Sequence, residues 1–182
     1  DPADLAISAD MNVLAVSNES TNSVTFINTN PFSPNFHTVT QITHLIDPDT
    51  GRQGRGPTEL VWQPDDEDVL IVCEASNSVA FISTGDLSVR KIIPGVNNPR
   101  LIAVTNRDMA SGFSTNLYYA YVAASDGSIS VFESGPDGAN GIGYDDFIGK
   151  VQVDGQNGLP GVSAIQVNPS SFFHGAYVGY RN

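Results

Sequence analysis

Asp4, Glu59, Glu19 and Glu74, with Arg100, stand at corresponding places in an irregularly repeating sequence. Carboxylates gathered in this way suit a hard cation, since Ca²⁺ is held by clustered oxygen ligands, or a cationic ligand. The alternative is that these acids occupy solvated strand ends or form salt bridges within a channel. A second group is Asp47-Pro48-Asp49-Thr50-Gly51, the first half of a D-x-D-x-G calcium loop. It lacks the downstream bidentate Glu and the flanking helices of an EF-hand, so an Asp/Pro/Gly turn competes with the metal reading. A third is the glycine-rich stretch Gly135–Asp146, which offers Asp137, Asn140, Asp145 and Asp146. Ca²⁺ or another divalent cation is the cofactor these groups would take.

Other chemistries lack their residues. His37, His44 and His174 have no HxxxH or HExxH spacing, no G-x-S-x-G elbow is present, and no glycine-rich stretch reads G-x-x-x-x-G-K-[ST]. Cys73 is the single cysteine, so no internal disulfide and no haem-attachment motif exists. Its setting, IVCEA, is that of a buried strand residue. Trp62 reads as core. The run Asp65, Asp66, Glu67, Asp68 reads as a solvated turn.

The elements that position these residues follow from an internal repeat. AVSNESTNSVTFIN at Ala15–Asn28 recurs as LIVCEASNSVAFIS at Leu70–Ser83 and more loosely as YVAASDGSISVFES at Tyr121–Ser134. A proline opens an apolar strand at Pro2, Pro57, Pro99 and Pro160, with spacings of 55, 42 and 61 residues. Each unit predicts four antiparallel strands, A to D. In the second unit these are Glu59–Gln63, Val69–Cys73, Ser78–Ser83 and Leu87–Ile93, with A innermost and covered on both faces. No segment carries sustained helical periodicity. Units of this length predict an all-β fold, a β-propeller with about three and a half four-stranded blades, over residues 2–47, 57–94, 99–153 and an incomplete 160–182. In such a blade order the D–A loops and B–C hairpins share one face, which would gather Asp4, Glu59, Glu19, Glu74 and Arg100 at the channel mouth.

At these residues the chain resembles a known family. AVSNESTNSVTFINT is similar to the YVTN repeat, and Gly175–Gly179 looks like the start of another copy. Cys73 and Ala123 replace the motif's Asn, and Asn106–Asn116 is a long A–B insertion. The resemblance implies a propeller of the kind found in surface-layer proteins, lactonase-like enzymes and electron-transfer dehydrogenase subunits.

The balance of 8 basic against 20 acidic side chains gives −12, which repels phosphates and anionic lipid and makes nucleic acid an unsuitable partner. No apolar run approaches the roughly 20 residues that cross a bilayer, so no membrane insertion is expected. The chain starts without Met or a signal peptide and stops inside a repeat, the pattern of a piece of something longer. Its partners are then a protein or the remaining blades of the same polypeptide. The leading expectation is a non-enzymatic extracytoplasmic module for protein binding or structural assembly, at a cell surface or in the periplasm. The alternative is a lactonase-like hydrolase in which a metal at the channel mouth polarises a carbonyl. A further alternative is a propeller subunit of a redox complex.

Overall fold

A computed structural model describes residues 1–64, 67–105, 119–133, 145–153, 162–167 and 176–180. They fall into two compact units, Asp1–Gly95 and Val96–Asn182. The first unit holds two four-stranded antiparallel sheets. One is β1 (Pro2–Ile7), β2 (Val13–Asn18), β3 (Ser23–Asn28) and β4 (Val39–His44); the other is β5 (Pro57–Trp62), β6 (Asp68–Cys73), β7 (Ser78–Ser83) and β8 (Val89–Pro94). The second unit holds the sheet β9 (Pro99–Val104), β10 (Tyr119–Ala124), β11 (Ser128–Glu133) and β12 (Asp146–Gln152), and the pair β13 (Val162–Val167) and β14 (Ala176–Tyr180). Every sheet runs in chain order, each strand beside the next, as expected of propeller blades. The one helical element among the described residues is the single 3₁₀ turn Glu74–Ser76.

The repeated sequence makes the same joint three times. Asn22, Asn77 and Gly127 all adopt left-handed backbone, with φ of 51°, 51° and 78°, which Asn and Gly tolerate best. Their carbonyls accept from the residue just past the fourth strand: Leu45 N–H at 3.0 Å, Gly95 at 3.0 Å and Val153 at 3.1 Å. Past each second strand, Glu19, Glu74 and Ser125 donate to the residue before each opening proline, Asp1, Gly56 and Asn98, all at 3.0 Å. The serine that follows the left-handed residue, Ser23, Ser78 or Ser128, is buried. Its hydroxyl meets Thr21 Oγ1, Ser76 Oγ or Asp126 Oδ1, two residues before it. The motif serines are therefore structural.

The two sheets of the first unit pack face to face. Ala15, Val24 and Phe26 of the first sheet join Leu60, Val69, Ile71, Ala80, Ile82 and Ile92 of the second in one buried cluster. Trp62 sets its indole edge-on to Phe26, with ring centroids 6.4 Å apart, and donates its Nε1–H to Ala6 C=O at 2.9 Å. Polar side chains of the first sheet satisfy backbone groups of β5, whose inner edge has no strand beyond it in its own sheet. The Ser17 hydroxyl donates to Thr58 C=O, and Asp4 Oδ2 accepts from Leu60 N–H at 3.1 Å. In the second unit Ala123 and Ile129 pack with Leu101, Tyr121 and Ile165.

Two expectations change. Strand A is not the one covered on both faces: in β5 only Pro57 and Leu60 are buried and the other four positions are half-buried, while β6 is buried throughout and β7 nearly so. Middle strands have a sheet neighbour on each edge and side chains on each face, whereas the innermost strand has one open edge. Asp68 leaves the supposed solvated run. It is buried and pairs with Arg90 Nη2 at 2.8 Å, because it opens β6 while Glu67 stays exposed in the turn. Asp65 and Asp66 lie outside the described residues.

Candidate functional site

At one end of the first unit, the loop from β4 to β5 meets the β2–β3 and β6–β7 turns. Gly56 is the pivot. Its φ is +62°, and a Cβ there would stand 2.9 Å from Ala75 Cβ. Its N–H donates to Asn22 Oδ1 at 2.8 Å and its C=O accepts from Glu74 N–H. Arg55 N–H donates to Ser76 Oγ at 2.9 Å, which fixes the backbone while the side chain stays exposed. Asp1, Glu19, Ser20, Asn22, Arg55, Gly56 and Ala75 enclose a cleft of about 420 Å³. Its lining combines carboxylates, a guanidinium, an amide and a hydroxyl.

Of the acids expected at the channel mouth, Glu19 lies in this cleft and is exposed. Asp4 is half-buried with one oxygen on Leu60 N–H. Glu59 is half-buried on β5, and Glu74 is half-buried at the start of the 3₁₀ turn. Arg100 is exposed on β9, in the second unit. Ser20, Asn22 and Arg55 are cleft residues that spacing does not single out. Asn22 was visible only as the repeat's turn residue, and its side-chain contact with Gly56 lies 34 positions away.

Asp47 is 4% exposed, and both its oxygens face backbone N–H groups. Oδ1 accepts from Asp49 at 3.1 Å and Thr50 at 2.8 Å, and Oδ2 accepts from Ile92 of β8 at 2.8 Å. Burial is the largest single influence on this carboxyl and opposes its ionisation. The hydrogen bonds from Thr50, Ile92 and Asp49 together outweigh it and hold the pKa below the ordinary value. Gly51 closes the turn at φ +69°, its N–H on Asp47 C=O at 2.9 Å. Asp49 is exposed. In the third stretch Asp145 is buried and Asp146 half-buried on β12, while Asp137 and Asn140 lie outside the described residues.

Among the described residues, no three His, Cys, Asp or Glu side chains come together as ligands for one metal ion. The described residues thus do not assemble the donor set that a lactonase-type metal would need. Cys73 is buried, and burial pushes its thiol up to about 12, so it is no nucleophile at neutral pH. Among the described residues no helix is long and apolar enough to cross a membrane.

No family model matches the chain, and no curated protein matches it. Solved structures do. The chain is similar to a putative 6-phosphogluconolactonase from Bacteroides fragilis, at 16% identity and TM-score 0.65 over 99% of this chain and 48% of that one. It is similar to the periplasmic gluconolactonase of Pseudomonas aeruginosa, at 19% and 0.56 over 84% and 40%. It is also similar to the hydrazine synthase of Kuenenia stuttgartiensis, at 20% and 0.66 over 92% and 39%. The fold is that of a partial β-propeller. The chain spans 39% to 48% of the length of these three structures. The expectation of a non-enzymatic module is corrected: several of the similar structures are named gluconolactonases, which are enzymes.

Proposed function

We propose that the chain is part of a lactonase-like hydrolase whose ligand site includes the cleft between the β2–β3 turn and the β4–β5 loop. The observation that carries this reading is that Glu19 and Arg55 line one cleft, in a fold shared with propellers named gluconolactonases. In lactone hydrolysis water adds to the ring carbonyl carbon, the bond from that carbon to the ring oxygen breaks, and a hydroxy acid leaves. Glu19 is assigned the proton of the attacking water, which it then delivers to the ring oxygen as the bond to the carbonyl carbon breaks. The Arg55 guanidinium is assigned the oxyanion that develops on the carbonyl oxygen and then the product carboxylate. Ser20 and Asn22 supply hydrogen-bonding groups for a polyhydroxylated ring.

The test is acid release from glucono-δ-lactone by the intact polypeptide, followed by pH-stat above the spontaneous rate. Glu19→Gln is expected to lower kcat by about 10²-fold or more, and Arg55→Ala by a comparable factor. Unchanged rates in both variants would remove the cleft from the reaction. Hydrolysis absent from the intact protein would favour the redox-complex reading, which the likeness to hydrazine synthase supports. In that case the protein should co-purify with a partner that absorbs visible light.

The same reading sets the protein outside the cytoplasm. Its support is the resemblance to surface-layer propellers and the likeness to a structure named periplasmic. Fractionation of the source cells tests it directly.

A further inference from the structure

Cross-strand pairing puts Leu5, Val16, Thr25 and Ile42 in one row across the first sheet, and Ile7, Leu14, Ile27 and Val39 in the next. Both rows lie on the face turned away from the second sheet. The corresponding rows of the second sheet are Leu60, Ile71, Ala80, Ile92 and Trp62, Val69, Ile82, Val89. Those eight build the packed seam against the first sheet. The contrast lies in exposure: Leu60, Ile92 and Val89 are 5%, 2% and 7% exposed, while Leu5, Ile42 and Val39 are 64%, 53% and 55%. Ile7, the counterpart of Trp62, is 48% exposed. Equivalent positions in a repeat carry equivalent apolar rows, yet only those of the second sheet are covered. Contiguous apolar surface of this kind marks an interaction face.

We infer that this face of the first sheet seats a further four-stranded blade of the same repeat, supplied by the polypeptide beyond residues 1–182. The seam between the two sheets of the first unit defines the chemistry of the occupant. It presents a small residue, a β-branched residue and an aromatic at the positions of Ala15, Val24 and Phe26. It also presents hydrogen-bonding side chains like Ser17 and Asp4, directed at the backbone of Ala3 and Leu5, which correspond to Thr58 and Leu60. The interface is head-to-tail, because the face it covers and the face it offers are different surfaces. The similar structures, of which the chain spans half or less, are long enough to include such a blade. This inference does not depend on the lactonase reading.

Thiol labelling of the full polypeptide tests it. Leu5→Cys and Val39→Cys are made singly, with Phe32→Cys, at a position 94% exposed, as the fast reference and native Cys73 as the buried reference. Both test thiols are expected to react at least ~10²-fold more slowly than the thiol of the Phe32→Cys variant, at every protein concentration, and to become reactive in denaturant. Labelling at the Phe32→Cys rate in a polypeptide whose Cys73 stays protected overturns the inference. Protection that disappears on dilution, together with a dimer mass, also overturns it, by assigning the face to a second copy of the chain. Leu5→Ala and Val39→Ala should keep the fold, so a variant that unfolds because of its cysteine is recognised by comparison with them.

Discussion

Asp47 shows what becomes of an acid that looks like a metal ligand. Its two oxygens take three backbone N–H groups, and one of them belongs to Ile92, 45 positions away. The local D-x-D-x-G pattern is readable as a tight loop; the distant donor is not, because nothing in five residues records where β8 will lie. Asp10 and Asp126 serve turns in a related way. Asp10 accepts from the Ser8 hydroxyl and from Asn12, and these bonds hold its carboxyl below the ordinary range. At Asp126 burial works the other way, but the Ser128 hydroxyl and N–H and the charge of Lys150 prevail. Groups with depressed folded pKa values stabilise fully above the unfolded value of about 3.9, and that stabilisation is lost as pH falls through their folded values. Denaturant unfolding is therefore expected to be flat above about pH 5 and to weaken below about pH 4. Asp47→Asn should reduce this acid-side slope; an identical slope in the variant would refute the assignment. Met11 is 67% exposed with φ of 60°, a conformation that costs a side chain roughly 1–2 kcal/mol. Met11→Gly should raise stability by about 1 kcal/mol, readable as a higher denaturant midpoint.

At the level of elements, the strands and hairpins were legible because alternation, proline and turn residues are local signals. The burial of individual strands was less so: which strand is covered on both faces depends on what the neighbouring sheet brings. Asp68 illustrates this, since a run of four acids reads as solvent-facing until β8 delivers Arg90 beside it. Arg90→Leu leaves Asp68 buried without that partner and is expected to cost roughly 1.5–3 kcal/mol. Chemical denaturation measures it, and a change below ~0.5 kcal/mol would show that Arg90 is dispensable. Asn22 separates two roles in one residue. Asn22→Gly keeps the left-handed backbone and removes the bond to Gly56, a loss of about 1 kcal/mol. Asn22→Ala removes the bond and adds left-handed strain, so it should cost about 1–2 kcal/mol more. Equal losses in the two variants would mean that the backbone conformation contributes nothing.

For the whole molecule, the sequence repeat carried the architecture and was silent on activity. The turn serines and several acids that stand out by type are spent on joints between strands. The cleft that supports a catalytic reading is assembled from Glu19, Asn22 and Arg55, which come from two connections separated by two strands. Sequence proximity could relate Asn22 to Glu19, but only the meeting of the β4–β5 loop with the β2–β3 turn brings in Arg55. The net charge of −12 should keep the protein from binding polyanions such as heparin even at low ionic strength.

The joint at Asn22, Asn77 and Gly127 has one more consequence. Its backbone bonds close within a single sheet and its connections, at nearly the same length each time. A duplicated gene segment would therefore arrive with its own fastenings and would demand no compensating change elsewhere. Blade number in such a chain is free to drift by whole units over descent, while the residues facing the next sheet, such as Trp62 and Asp4, keep the order in which the units must stack.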